Sequence, residues 1–380
     1  MPSPICLIMT NNELFYLTGK CLTLDEHPGF REEMIELIAA DSIDWKKFTA
    51  LSSNHLILPV IYQKFKSHDL LPYLPDVVSD YLKEIYDLNL ARNNQILQQL
   101  YEVTAILNKG NICPVYLKGA GHLLDGLYSH SGERMMGDID FLVPEKDYLP
   151  AAELLLSQGY SADCPPYIDV ASLKHYPRLW KKGVPADLEI HRIPVSEKHQ
   201  GWFNAEVIFK EKKAVSSLEG CFVLSDRHKV IHNFIHSQLG HGGHRNGIVS
   251  LRDLYDLYLL SKNLEVEQTI ADIKPRQKAI AYFVFAGKAL GLSRKFYPTG
   301  NLSCWIFTKK HDLNYRSKVF YYTYRTITYI TQRIIIGFTN QIIQSFSSRK
   351  MRHSVIDRLS NRQWRHAHLD SYKSFFSSNK

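Results

Sequence analysis

Apolar positions along the first 110 residues recur mostly at three- and four-residue intervals, the spacing of one buried helix face. In residues 30–39 (FREEMIELIA) this spacing falls on Met34, Ile35, Leu37 and Ile38. Further helices are predicted over residues 45–53 and 56–65, the second ending at the polar break Lys66-Ser67-His68-Asp69. A longer helix is predicted from Asp76, just after Pro75, to Lys109. Leu82, Ile85, Tyr86, Leu90, Asn93, Leu97, Leu100, Thr104 and Leu107 mark its repeat, Gly110-Asn111 supplies the stop, and its expected job is packing.

The period changes at Pro114. Val115-Tyr116-Leu117 is short, apolar and β-prone, and Lys118-Gly119-Ala120-Gly121 then predicts a tight turn before residues 123–128. A second strand is predicted at residues 138–143 (DIDFLV), a helix at 148–158 ended by Gly159, and a third strand at 187–193 (DLEIHRI). Helical patterning returns at residues 227–239, 249–261 and 275–290, with the turn Gly240-His241-Gly242-Gly243-His244 between the first two. The chain thus divides into a helical region 1–111, an α/β unit 112–196, a second helical region 197–300 and an extension 301–380.

Charge changes that picture only at the end of the chain. The formal net charge is +8, yet residues 301–380 hold 14 Lys or Arg against Asp312, Asp357 and Asp370, so the preceding 300 residues are slightly acidic. A basic tail favours anionic partners without naming one. The opening Met1-Pro2-Ser3-Pro4-Ile5-Cys6 lacks a basic stretch followed by an apolar run, so no secretory signal is expected and a cytoplasmic location is the default. Cys6, Cys21, Cys113, Cys164, Cys221 and Cys304 form no C-x-x-C pair and are expected to be reduced.

The chemistry concentrates in the predicted strands. Alternation along a strand puts Asp138 and Asp140 on one face and turns Ile139 and Phe141 to the core. Two adjacent carboxylates repel, and a divalent cation between them relieves the repulsion. Such a pair alone is weak evidence, since a solvated strand end looks the same. The third strand offers Asp187, Glu189 and His191 on one face, and Glu189 or Asp187 beside the first pair completes a cluster able to hold two metal ions for in-line phosphoryl or nucleotidyl transfer. Glu189 is preferred because Asp187 sits at the strand entry. Asp138 and Asp140 then hold the metal on the triphosphate, and the third carboxylate helps to activate an acceptor hydroxyl.

Several separated blocks occur in one order: Tyr86 to Asn94 (YDLNLARNN), Tyr116 to Gly121 (YLKGAG), Tyr128 with Arg134 and Gly137-Asp138-Ile139-Asp140-Phe141-Leu142-Val143, and Asp187 to His191 (DLEIH). With Ile43-Asp44-Trp45 and Leu251-Arg252-Asp253-Leu254, they resemble the uncharacterised nucleotidyltransferase family of the polymerase-β-like superfamily over residues 30 to 290. The resemblance implies an α+β fold with a small mixed sheet of five strands, flanked by helical regions. It also implies Mg²⁺ or Mn²⁺, ATP or another NTP as donor, and transfer of a nucleoside monophosphate to a hydroxyl with release of pyrophosphate. The acceptor, whether small molecule, protein or RNA, stays open. The superfamily usually has Gly-Ser at the turn before the acidic strand; Lys118-Gly119-Ala120 stands here, which leaves the terminal phosphates to backbone N–H groups, with Lys118 as charge partner.

The remaining candidates each carry a plainer alternative. Lys118 reaches a phosphate or forms an internal ion pair; Arg134 counters the triphosphate or pairs with Glu133; His191 supports a metal-bound carboxylate or is a packed strand histidine. Lys174 and His175 are weaker candidates. His228, His232, His236, His241 and His244 suggest zinc only by their spacing, and lining of the site or ordinary packing is the stronger reading. Asp253 orients a basic group or forms a helical salt bridge. Residues 319–346 are amphipathic and too interrupted to span a bilayer, leaving an in-plane membrane contact or a packed helix. Arg358, Arg362, Arg365 and Trp364 make the extension a possible nucleic-acid module, and a non-catalytic nucleotide-binding regulator is the other alternative.

Overall fold

The computed structural model describes residues 9–164, 169–331 and isolated positions from 339 to 370. Five helices open the chain: α1 (Asn11–Cys21), α2 (Phe30–Ala39), α3 (Trp45–Asn54), α4 (Leu58–Ser67) and α5 (Asp76–Lys109). Helix α5 starts directly after Pro75, stops at Gly110, and at 34 residues is about 50 Å long. Leu82, Tyr86, Asn89, Asn93, Ile96, Leu100, Val103 and Leu107 form its buried stripe. Ile96, Leu100, Val103 and Leu107 lie on the sheet core, and the two asparagines precede them.

The middle of the chain supplies β1 (Val115–Tyr116), α6 (Lys118–Leu124), β2 (Asp138–Leu142), α7 (Tyr148–Ser157), β3 (Ser161–Ala162), β4 (Leu179–Trp180) and β5 (Asp187–His191). Then come α8 (Ala205–Lys210), β6 (Lys213–Ala214), β7 (Phe222–Val223) and α9 (Asp226–Phe234), which runs on as a wider π-turn, Ile235–Gly240. The strands make one seven-stranded mixed sheet in the order β3-β4-β5-β2-β1-β7-β6. Pairs β2–β5 and β1–β7 are parallel, and the others are antiparallel. The fold class is the α+β arrangement expected, but the five strands implied by the resemblance become seven, because two-residue strands extend both edges.

Alternation along β2 and β5 sorts the side chains. Ile139, Phe141, Leu188 and Ile190 enter a core shared with Leu100, Val103 and Leu107 of α5 and Ala151 and Leu155 of α7. Each fully buried side chain of this size contributes about 2–3 kcal/mol, which fixes which face of each strand is turned away from that core. The tight turn predicted at Lys118–Gly121 is instead the first turn of α6. Gly121 permits it, since a Cβ there would lie 2.7 Å from the Tyr116 carbonyl oxygen.

Helices α10 (Gly243–Asn246), α11 (Leu251–Leu260), α12 (Val266–Thr269), α13 (Arg276–Ala289), α14 (Leu302–Arg316) and α15 (Lys318–Tyr329) complete the described elements. Contacts divide the chain into two units, Met1–Lys309 and Lys310–Lys380. Arg349, Lys350, Arg358, Trp364 and Arg365 of the basic extension lie outside the described residues. Among those described, no helix is long and apolar enough to cross a membrane.

Candidate active site

Parallel pairing of β2 with β5 sets Asp138 opposite Asp187, Asp140 opposite Glu189, and Leu142 opposite His191. The acids of both strands therefore share the sheet face away from the core. Asp140, Glu189 and His191 each bring a ligand atom within 4.8 Å of the other two, the three-ligand group found among the described residues. Asp138 and Asp187 sit one step nearer the strand entry and are not part of that trio.

Cations occupy the acids in this state. The Lys118 ammonium donates to Asp140 Oδ1 at 2.6 Å, and Nε2–H of His191 donates to the same oxygen at 2.8 Å. Arg178 Nη2 bridges Asp138 Oδ2 at 3.2 Å and Glu189 Oε1 at 2.8 Å. Burial works against ionised Asp140, but the His191 hydrogen bond and the Lys118 charge outweigh it and hold the carboxyl well below its ordinary pKa. At Asp138 burial and the charges of Asp140 and Glu189 act together and push the pKa up. Burial lowers the pKa of His191, whose Nδ1 is enclosed without a hydrogen-bond partner. Lys118 itself has φ 49°, the left-handed region, and this strained backbone aims its side chain at Asp140.

The strand entries are held by polar groups of α5, a helix whose expected job was packing. Asn89 of α5 donates to the Gly132 carbonyl at 2.7 Å and Asn93 to the Arg134 carbonyl at 2.8 Å. Arg92 reaches the carbonyls of Met136, Gly137 and Pro185. Gln99 donates to the Ala186 carbonyl at 2.7 Å and accepts from its N–H. One helix thus fixes the segments leading into both acid strands. Gly132 makes the approach possible, as a Cβ there would meet the Tyr86 ring at 2.9 Å. The visible signal was a pair of asparagines, four residues apart, at positions the helical period assigns to the buried face.

Arg134 does not pair with Glu133. Its Nε and Nη2 donate to the two carboxylate oxygens of Asp256 at 3.0 and 2.9 Å, joined by the Tyr128 hydroxyl, so α11 is tied to the loop before β2. Burial alone would raise the Asp256 pKa, but Arg134 and His122 hold it well below the usual carboxylate range. Neither role was read from the sequence: Asp256 meets partners 122 and 128 positions away, and Arg178 joins two acids 11 and 40 positions away.

A cavity of about 520 Å³ opens over the acids. Lys118, Gly119, Asp138, Asp140, Glu189 and His191 line one side, with Arg134 also at its wall; Ala120 packs into the sheet core instead. Lys174, His175, Arg178, His232, His236 and His241 also line it, as do Lys229 and Arg252. The His232 and His236 rings stack at 6.1 Å, and His236 meets His241 at 4.4 Å. Burial, then the Lys118 charge, holds the pKa of His232 at about 3 and that of His236 lower still. These are neutral imidazoles on the cavity wall, and the five histidines of 228–244 form no three-ligand metal group among the described residues. His228 packs on Phe203 and His244 on Phe307. Asp253 lies beside Arg252, 3.6 Å from its Nε.

A family model described as uncharacterised nucleotidyltransferase matches residues 41–298. A search of curated proteins finds no match. The matched span contains both acid strands, the α5 clamp and α11, and covers more than half of the chain; the protein belongs to the uncharacterised nucleotidyltransferase family.

Proposed function

We propose that the chain transfers a nucleoside monophosphate from ATP or another NTP to an acceptor hydroxyl and releases pyrophosphate, with Mg²⁺ or Mn²⁺ as the metal. The observation that carries this reading is the register that sets Asp140 opposite Glu189 at the base of one cavity, with Asp138 and Asp187 one step away. Two carboxylates and an imidazole within 4.8 Å form a donor set that fits a small divalent ion. Asp140, Glu189 and His191 would hold it; Asp138 at the same cavity, and Asp187 one step back in the ladder and outside the cavity lining, would be the further carboxylates for a second ion. When bound, the metal neutralises the donor phosphates and lowers the pKa of the acceptor hydroxyl.

The chain's own residues do the rest. Lys118 and Arg178 neutralise the acids in this state and would have to give way to a bound metal. The acceptor oxygen forms a bond to the α-phosphorus while the bond from that phosphorus to the β-phosphate oxygen breaks, so pyrophosphate departs with the electron pair. The acceptor can be a small molecule, a protein side chain or an RNA end. The test is an acceptor panel with α-labelled nucleotides, scored for label transfer and pyrophosphate. Metal-dependent release is expected in the native protein and not in Asp138→Ala or Asp140→Ala; equal release by both variants sinks the assignment.

A further inference from the structure

The cavity cations differ in one respect. Lys118 is engaged by Asp140, Arg178 by Asp138 and Glu189, Arg134 by Asp256, and Lys229 by Asp125 and Asp226. Arg252 lies beside Asp253 and donates to the Met135 carbonyl at 3.2 Å. Among the described residues, only the Lys174 ammonium lines this cavity with no carboxylate or hydrogen-bond partner.

Its backbone is not loose. The Lys174 carbonyl accepts from the N–H groups of Arg192 at 2.9 Å and Ile193 at 3.3 Å, just past the end of β5. His175 forms a β-bridge with His191, and the Tyr176 N–H donates to the Ile190 carbonyl at 2.8 Å. A partly buried ammonium is therefore held beside the acid strand with no ion pair or hydrogen bond of its own among the described residues. Burial and the nearby Lys118 depress its pKa, against the pull of Asp140 and Glu189, so the group shares their space. Desolvating a cation without a partner is costly, and a bound anion relieves that cost.

We propose that Lys174 binds the β- and γ-phosphates of the donor and makes the site select a nucleoside triphosphate over a monophosphate. This rests on the nucleotidyl-transfer reading. A metal-bound triphosphate keeps negative charge at its terminal end, and Lys174 can meet it without first leaving an acid of the protein. Lysine suits that end, where a point charge on a flexible stem follows a phosphate chain without demanding a planar fork.

The test is calorimetric binding of ATP, AMP and inorganic tripolyphosphate to the full chain with Mn²⁺, for native protein, Lys174→Met and Lys174→Arg. Methionine keeps the apolar stem, and thermal melting of each variant checks the fold. Lys174→Met is expected to weaken ATP and tripolyphosphate about tenfold or more and AMP less than about twofold, and Lys174→Arg to recover most of the loss. Native ATP binding that Lys174→Met leaves unchanged, or an equal loss for AMP, overturns the Lys174 assignment alone. Tripolyphosphate binding that depends on Lys174 without any ATP binding supports a polyphosphate site and removes the nucleotide reading. Binding of neither ligand by the native protein overturns both.

Discussion

At the cavity Asp138, Asp140 and Glu189 ride on two paired strands, whereas Lys174, Arg178, His236 and His241 come from a loop and a wide helical turn. A parallel ladder allows one spacing between facing residues, so the acids are fixed wherever the core holds Ile139, Phe141, Leu188 and Ile190. The basic side has no ladder beneath most of it. Its position comes from a few backbone hydrogen bonds and ring contacts, which suits groups that must meet a variable ligand. The strand-borne acids are built for constancy, and the loop-borne groups for accommodation.

The largest test of that contrast strikes the strand side. Asp140→Asn keeps the shape and removes the charge, and metal-dependent pyrophosphate release is expected to fall about 1000-fold, in the range seen when one transition-state charge contact is lost. A rate within tenfold of native would show that the ladder does not carry the chemistry.

The next effect is in stability. Asp256→Asn leaves Arg134 buried without its counter-charge, and urea denaturation should show a loss of about 3–5 kcal/mol. A loss below about 1 kcal/mol would mean that the loop entering β2 is held by the α5 asparagines alone.

Glu133, in the same loop, gives a pH signature. Burial raises its carboxyl from 4.5 to about 7 in the folded state. At pH 4.5 and below both folded and unfolded forms tend to keep the proton. As pH rises toward 7 the unfolded chain releases it first, so folding stability is lost over that window and stays lost above it. The loss is up to about 3 kcal/mol. Glu133→Gln should therefore be more stable than native protein at pH 8 and nearly equal at pH 4.5, by thermal melting at the two values. A pH-independent difference would contradict the burial argument.

The smallest effect is on the loop side. Arg178 is more than half exposed yet spans Asp138 and Glu189. Its removal in Arg178→Ala should tighten Mn²⁺ binding about threefold, read by electron paramagnetic resonance titration, because a screened competitor is weak. Weaker binding in the variant would make Arg178 a contributor to the metal site instead of a rival.

The same contrast explains how much could be read from residues alone. The long helix α5, strands β1, β2 and β5, and the shared face of the acids follow from local period, and the structure has them within a residue or two. Strands β3, β4, β6 and β7 have two residues each, too few for alternation to register, and exist because a neighbour offers hydrogen bonds. The pairing of Arg134 with Asp256 bridges 122 positions and that of Arg178 with Asp138 bridges 40, so no window of sequence contains either. The α5 asparagines were visible but ambiguous, since a buried polar group announces a partner without saying which.

The wide turn at Ile235–Gly240 has a genetic consequence. A π-turn accommodates one residue more than an α-turn, so deleting a single codon there would let the helix close to ordinary geometry and leave the residues beyond it almost in place. Only the wall groups carried by the turn itself, His236 among them, would shift while the acids stayed put, a lesion that changes what the enzyme accepts without touching what it does.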